Sequence, residues 1–248
     1  MKKVLEINHL KKYYHTEDRE IFALKDISFD VNHGEFISIV GPSGCGKSTI
    51  LSILANIENK SDGSINIEQN KKIAYMLQDD SLLPFRTVLE NSLLGLEFEH
   101  NLTKENKEHV LELLDTYGLK DFINQYPKEL SGGMRQRVAL IRTLAVNPDI
   151  ILLDEAMSSL DYQTRLRIGE DLYKIIKKEK KTAIMVTHDI GEAISMSDRV
   201  IVLTNRPSTV KNIYEIKLKE KKNPIDNRSD PNFSKYFNQI WRDLYEDI

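Results

Sequence analysis

Residues 41–49 read GPSGCGKST and satisfy G-x-x-x-x-G-K-[ST] at Gly41, Gly46, Lys47 and Ser48. The apolar run FISIV leads into this stretch and the helix-like KSTILSILANI leaves it, the strand–loop–helix context in which such a motif cradles phosphate. Such a loop demands a buried strand, glycines that let backbone N–H groups turn inward, and a helix N-terminus facing an anion. Lys47 would neutralise the outer phosphates of a nucleotide, the Ser48 hydroxyl would bind Mg²⁺, and Thr49 would reach an inner phosphate. Pro42, Ser43, Gly44 and Cys45 complete the candidate cradle.

Cys45 is the single cysteine, which excludes an internal disulfide and any multi-cysteine metal site. It reads as a small filler without chemistry of its own. Its place near a helix N-terminus predicts alkylation without nucleotide and shielding with it.

At 248 residues the chain can bury a full core as one large domain, with room for an inserted lobe. Hydrophobic residues at 40% and charged residues at 29% describe a water-soluble mixture. A formal net charge of −3 supplies no overall basic field and argues against nucleic acid as the main partner. The opening MKKVLEINHL lacks the apolar centre of a signal peptide, and runs such as IILL and FISIV fall far short of the ~20 residues that span a bilayer. Any membrane role is expected to come through a partner.

Alternation in VLEINHL and ISFDV predicts an N-terminal antiparallel β-layer, and GSINIE and IAYMLQ read as two further short strands. Helical, charge-rich patterns then dominate, and TKENKEHVLELLDTYGL places Val110, Leu111, Leu113 and Leu114 on one face. Strand character returns at DIILLDE and TAIMVTH, apolar runs that suit buried parallel strands. The expected organisation is one α/β domain over 1–248 with a helical lobe inserted at about 80–145. RVIVLTN and VKNIYEIKL read as a hairpin across RPST, and a polar linker leads to the aromatic-studded FSKYFNQIWRDLYEDI, a linker and helix at about 223–248.

IILLDE puts Asp154 and Glu155 at a strand exit, where consecutive side chains point to opposite sides. One carboxylate can therefore face Mg²⁺ while the other faces an attacking water. A second glycine-bearing helix start lies at LSGGMRQR, residues 130–137.

LSGGMRQR ahead of IILLDE, followed by SSLD and VTHD, resembles the ATP-binding cassette (ABC) ATPases, and the match covers essentially the whole chain. The resemblance implies a P-loop NTPase, RecA-like core with an N-terminal antiparallel β-layer and an inserted α-helical subdomain. It assigns Gln78 to the Q-loop, sensing Mg²⁺ and water, and Ser131, Gly132 and Gly133 to the signature. Asp161 falls in the D-loop, Glu155 is the implied general base, and His188 the γ-phosphate switch. Tyr13 resembles the aromatic that stacks on adenine, with Tyr14 the alternative. In that family the signature of one copy closes over ATP held by another, so two equivalent sites form in a homodimer.

DNA-repair relatives usually carry long coiled-coil insertions and translation-type relatives usually carry two cassettes, and the chain has neither. A P-loop kinase would leave the signature unexplained. DDSLLPFRTVLENSLLGLE, SSLDYQTRLRI and VLTNRPSTV resemble the ATPase subunits of nitrate, sulfonate and taurine importers. That likeness implies a peripheral protein on the cytoplasmic face of the membrane, serving separate permease subunits and, indirectly, an external substrate-binding protein. The segment Leu82–Asn91 would receive a permease helix, with Leu82, Leu83, Phe85 and Val88 as apolar floor and Arg86 and Glu90 as rim. The substrate stays open among nitrate, organosulfonates and pyrimidine-type vitamin precursors. Departures from the family pattern are Met134 after the signature glycines, Ala156–Met157 where a proline and an aromatic are usual, and Phe85 in place of a common tryptophan.

Overall fold

The computed structural model describes residues 2–15, 20–157, 161–219 and 223–246. Its centre is built from runs that are apolar almost throughout: β3 (Phe36–Val40), β6 (Ile150–Asp154) and β7 (Thr182–Val186) are buried at every position. A strand apolar on both faces needs a covering layer on each side, which parallel strands joined by helices provide. With β5 (Ile73–Met76) and β8 (Arg199–Leu203) they make the parallel order β8-β3-β7-β6-β5.

The two faces of these strands feed different cores. Phe36, Ile151, Leu153, Ala183 and Met185 join the helical side. Ile37, Ile39, Ile150, Leu152, Ile184 and Val186, offset by one residue, join the cluster shared with α1 (Lys47–Leu54) and the antiparallel layer.

That layer is β1 (Lys3–His15) paired antiparallel with β2 (Glu20–Asn32) on one side and β4 (Asp62–Ile67) on the other. β9 (Ser208–Glu215) forms the expected antiparallel pair with β8 and also runs parallel to β2 at Leu24↔Ser208 and Asp26↔Thr209. This second pairing, absent from the sequence reading, joins both layers into one sheet of order β4-β1-β2-β9-β8-β3-β7-β6-β5 among the described residues.

The stretch between β5 and β6 is helical. α2 (Val88–Phe98) starts at a capping box, with Glu90 N donating to Thr87 Oγ1 and Thr87 N donating to the Glu90 carboxylate. α3 (Lys104–Thr116) is capped by Thr103 and buries Val110, Leu113 and Leu114, with Leu111 half-buried. α4 (Gly132–Ala145) packs on α2, α3 and α5 (Tyr162–Lys178). The apolar interior of these helices is continuous with the sheet's helical side. α6 (Ile190–Met196) and α7 (Pro224–Asn227) follow, and α8 (Phe233–Tyr245) seals a third cluster with Ile240 and Leu244.

Candidate nucleotide site

Register fixes where the chemistry converges. Ile39 and Asp154 both align with Val186, so β3, β6 and β7 end level with one another. The loop 41–49 leaves β3, Glu155 leaves β6 and His188 leaves β7, all at one C-terminal sheet edge. Gln78 leaves β5, which is in register with β6 through Met76↔Leu153, and is exposed at that same edge. Ligands of parallel α/β sheets bind at this kind of edge.

Gly46 caps α1 with φ 103°, a left-handed conformation that glycine adopts without penalty. A Cβ on Gly41 would sit 2.8 Å from Cys45 Sγ, so that position has no room for a side chain. The Lys47 ammonium, 6% exposed, donates to the carbonyls of Gly41 at 2.9 Å and Pro42 at 3.0 Å. α1 has no acidic residue in its first turn, so its positive helix end is left for an anion.

Ser48 Oγ donates to Asp154 Oδ1 at 2.9 Å, and Tyr75 Oη donates to Asp154 Oδ2 at 2.8 Å. Burial, reinforced by the Asp154 carboxylate, pushes the Tyr75 hydroxyl well above the usual tyrosine range, so it stays a donor. Sequence reasoning missed Tyr75; only its place three residues before the end of IAYMLQ, on the strand beside β6, hinted at it. A hydroxyl and a carboxylate side by side suit a hard divalent cation such as Mg²⁺. No group of three His, Cys, Asp or Glu that could hold a metal exists among the described residues, which fits an ion that takes its remaining ligands from phosphates and water.

Glu155 has φ 41°, and its N–H donates to Val186 O at 2.9 Å. Left-handed backbone at a non-glycine residue costs on the order of 1–3 kcal/mol and is concentrated at functional sites. Glu155 Oε2 lies 3.2 Å from His188 Nδ1, so the two strand exits meet through their side chains. His188 is 56% exposed and Glu155 22%, which leaves the pair open to a substrate.

The Tyr13 ring packs on His15 and Phe22, with centroids 5.3 and 5.7 Å apart. Tyr14, on the other face of β1, hydrogen-bonds Thr49 and Glu58, and Lys12 Nζ lies 4.8 Å from its ring centroid. Tyr14 thus lies beside Thr49 at the end of the phosphate loop.

Ser131 is exposed and caps α4, its Oγ accepting from Met134 N at 3.3 Å. Gly132 opens the helix and Gly133 is buried. A Cβ on Gly133 would lie 3.1 Å from Ile168 Cδ1, so this glycine sits tightly against α5. Asp161 caps α5 by accepting from Thr164 N at 3.1 Å, and the Thr164 hydroxyl together with that N–H holds its carboxyl below the usual range. The SSLD residues 158–160 lie outside the described residues.

Two expectations change. Val88 is 1% exposed and belongs to the core, not to an open groove floor, while Leu82 is half-buried against the same cluster; Phe85, 72% exposed, stays free. Glu90 is spent on capping α2, and Arg86 Nη1 pairs with Glu97 at 2.6 Å. Cys45 is 1% exposed and burial pushes its thiol up, contrary to the ready alkylation expected of it.

The family described as "ABC transporter" matches residues 24–158. An uncharacterised ABC transporter ATP-binding protein, YtlC, of Bacillus subtilis (strain 168) is 47% identical over 97% of this chain and 95% of its own. The aliphatic sulfonates import ATP-binding protein SsuB of Bacillus cereus is 38% identical over 86% of each chain. The nitrate import ATP-binding protein NrtD of Synechocystis is 36% identical over 95% of this chain and 93% of its own. Among solved structures, the dimeric post-hydrolysis state of the ATP-binding cassette MJ0796 bound to ADP and Pi superposes with TM-score 0.73 at 33% identity, covering 86% of this chain and 99% of that one. The chain belongs to the ABC transporter ATP-binding family, and it is an ATPase of that kind.

Proposed function

We propose that two copies of this protein close around two ATP molecules, and that hydrolysis drives uptake of a small solute through separate permease subunits. The observation that carries the reading is that the nucleotide edge assembles loop 41–49, Asp154, Glu155 and His188 in one copy, while the second phosphate-binding helix start, at Ser131, faces solvent. Such a surface invites completion by a second molecule, and the related cassette bound to ADP and Pi is dimeric.

Each side chain then has a part. Lys47 exchanges its two loop carbonyls for phosphate oxygens, and the loop amides and the α1 N-terminus face the same charge. Ser48 and Asp154 would hold Mg²⁺, with Gln78 at the same edge; bound there, the ion would neutralise charge on the phosphates. Glu155 accepts the proton of the attacking water, and His188 fixes Glu155 and the outer phosphate in one geometry. Tyr14 stacks on the adenine. Ser131 of one copy meets the ATP of the other: since its oxygen already accepts from Met134 N, its O–H proton is free to donate. Asp161 and Gly132 line the same closing surface, and Gly133 underlies it against α5.

The helical lobe, about 80–145, relays this closure to the permease, with Phe85 as the exposed apolar contact. Among the described residues no helix is long and apolar enough to cross a membrane, so the protein would work as a peripheral subunit at the cytoplasmic face, with an external binding protein acting through the permease. A nitrate- or sulfonate-type anion is the favoured cargo, by likeness to importers so named.

Isolation of the protein with its membrane neighbours tests this reading. A multi-span membrane protein should accompany it, and Phe85→Ala should release that partner while ATP binding stays intact. Hydrolysis stimulated by DNA or ribosomes, with no membrane partner, would overturn it.

A further inference from the structure

Glu192 is 7% exposed, carries an ionisable group, and takes no part in the chemistry above. Its Oε2 accepts from the Thr187 hydroxyl at 2.7 Å, and that hydroxyl accepts from Asp189 N at 3.0 Å. Asp189 Oδ1 accepts in turn from Glu192 N at 2.9 Å, capping α6. Thr187 and Asp189 are the chain neighbours of His188, so this net holds the backbone on both sides of it.

Two arginines reach the net from other parts of the chain. Arg165, in the first turn of α5 beyond Asp161, lies 3.8 Å from Glu192 Oε1 and 3.8 Å from Asp189 Oδ2. Arg228 follows α7 in the C-terminal segment, and its guanidinium packs over the start of α6: a Cβ on Gly191 would meet Arg228 Nη1 at 2.8 Å. Arg165, Arg228 and Glu192 line one pocket, and among the described residues Arg228 Nε is buried without a hydrogen-bond partner. Burial raises the Glu192 carboxyl above its usual range while Thr187, Arg165 and Arg228 each draw it back down.

The segment is fixed independently. Asn227, 1% exposed, donates from Nδ2 to Ser195 O at 2.7 Å, and Asn223 caps α7 by accepting from Asp226 N at 2.9 Å. Docking alone does not need a buried acid between two arginines, because apolar contacts hold such a segment as well or better. A charged net built around the neighbours of one histidine suits orientation of that histidine.

We infer that Glu192 and Arg228 are positioning residues for turnover: the C-terminal segment holds His188 against Glu155 through Arg228, Glu192 and Thr187. The inference rests on the proposed role of His188.

Steady-state ATP hydrolysis by the full chain, with kcat and KM resolved, tests it. Arg228→Ala and Glu192→Gln should each lower kcat about tenfold, the scale of a displaced reacting group, with KM for ATP unchanged because loop 41–49 is untouched. The double variant should fall no further than the worse single one, since both interrupt one chain. Gly191→Ala keeps both charges while its Cβ would meet the guanidinium at 2.8 Å and Asp189 Oδ1 at 3.0 Å, so it presses on the same net from the arginine's side and should share the loss of kcat, and Arg228→Lys should restore part of the rate. Loss of fold alone would not spare KM or be relieved by lysine. Full kcat in both Arg228→Ala and Gly191→Ala, or a change confined to KM, overturns the inference. Full turnover in His188→Ala would sink the switch role beneath it; loss there beside full turnover in Arg228→Ala removes only the arginine's part.

Discussion

Lys47 shows how a single side chain waits for its ligand. Its ammonium rests on two loop carbonyls, so phosphate binding exchanges neutral acceptors for charged ones and gains the difference. Losing a hydrogen bond to a charged group costs about 1.5–3 kcal/mol, so Lys47→Ala should weaken ATP binding by about tenfold to a hundredfold in calorimetry. Tyr14 and Tyr13 offer a contrast within one strand. Base stacking on an aromatic is worth about 1–3 kcal/mol, so Tyr14→Ala should weaken nucleotide binding by roughly that amount and Tyr13→Ala should leave it nearly unchanged. The pair was legible as a candidate in the sequence, but the choice was not, because bulges in β1 between Ile7 and Tyr13 shift its register with β2 and decide which face each tyrosine takes. Cys45 behaves as a buried thiol. With its ionisation raised, the thiolate fraction at pH 8 falls below that of a free cysteine, so alkylation should be slow with or without ATP and rapid only on unfolding.

Among the elements, the turn before α2 carries more structure than its apolar look suggests. Asn91 is fully buried: it accepts from Leu83 N at 2.8 Å and donates to the carbonyls of Leu83, Arg86 and Thr87 at 3.1, 2.9 and 3.0 Å. Asn91→Ala strands those groups and should destabilise the protein by about 1–3 kcal/mol in denaturant titration, whereas Phe85→Ala should stay within about 0.5 kcal/mol. The sequence read Val88 and Glu90 as groove residues because helix-in-groove contacts and buried capping turns share one apolar–polar spacing; only burial separates them. The unusual Ala156–Met157 is explained at this scale. Met157 is 2% exposed, and a Cβ on Gly169 would meet its Sδ at 3.3 Å, so contact with α5 fixes a turn that a proline would otherwise stiffen. α8 follows its sequence pattern: Ile240 and Leu244 face the core, Phe237 packs against it, and Trp241 and Tyr245 continue the row of rings on the exposed side.

At the scale of the whole molecule, what was legible is what chemistry places locally. Loop 41–49, Asp154, Glu155 and His188 each sit at a strand exit, and a strand exit can be read from an apolar run and its polar end. The parallel β2–β9 pairing, Tyr75 against Asp154 and Arg228 over Gly191 each join separate elements far apart along the chain, and no local pattern announces them. The proposed function also depends on a contact that one copy cannot make. With Glu155 and His188 open at the edge and Ser131 exposed, the proposal makes them two halves of one site, and ATP is what would hold two copies together. Glu155→Gln should cut hydrolysis by roughly 10²-fold or more, the scale of a lost general base, and so preserve the ATP that bridges the copies. The mass of that variant in solution, measured with and without saturating Mg-ATP, tests the shared site directly: the account predicts a monomer that doubles its mass when ATP is added, and a protein that binds ATP tightly yet remains a monomer would contradict it.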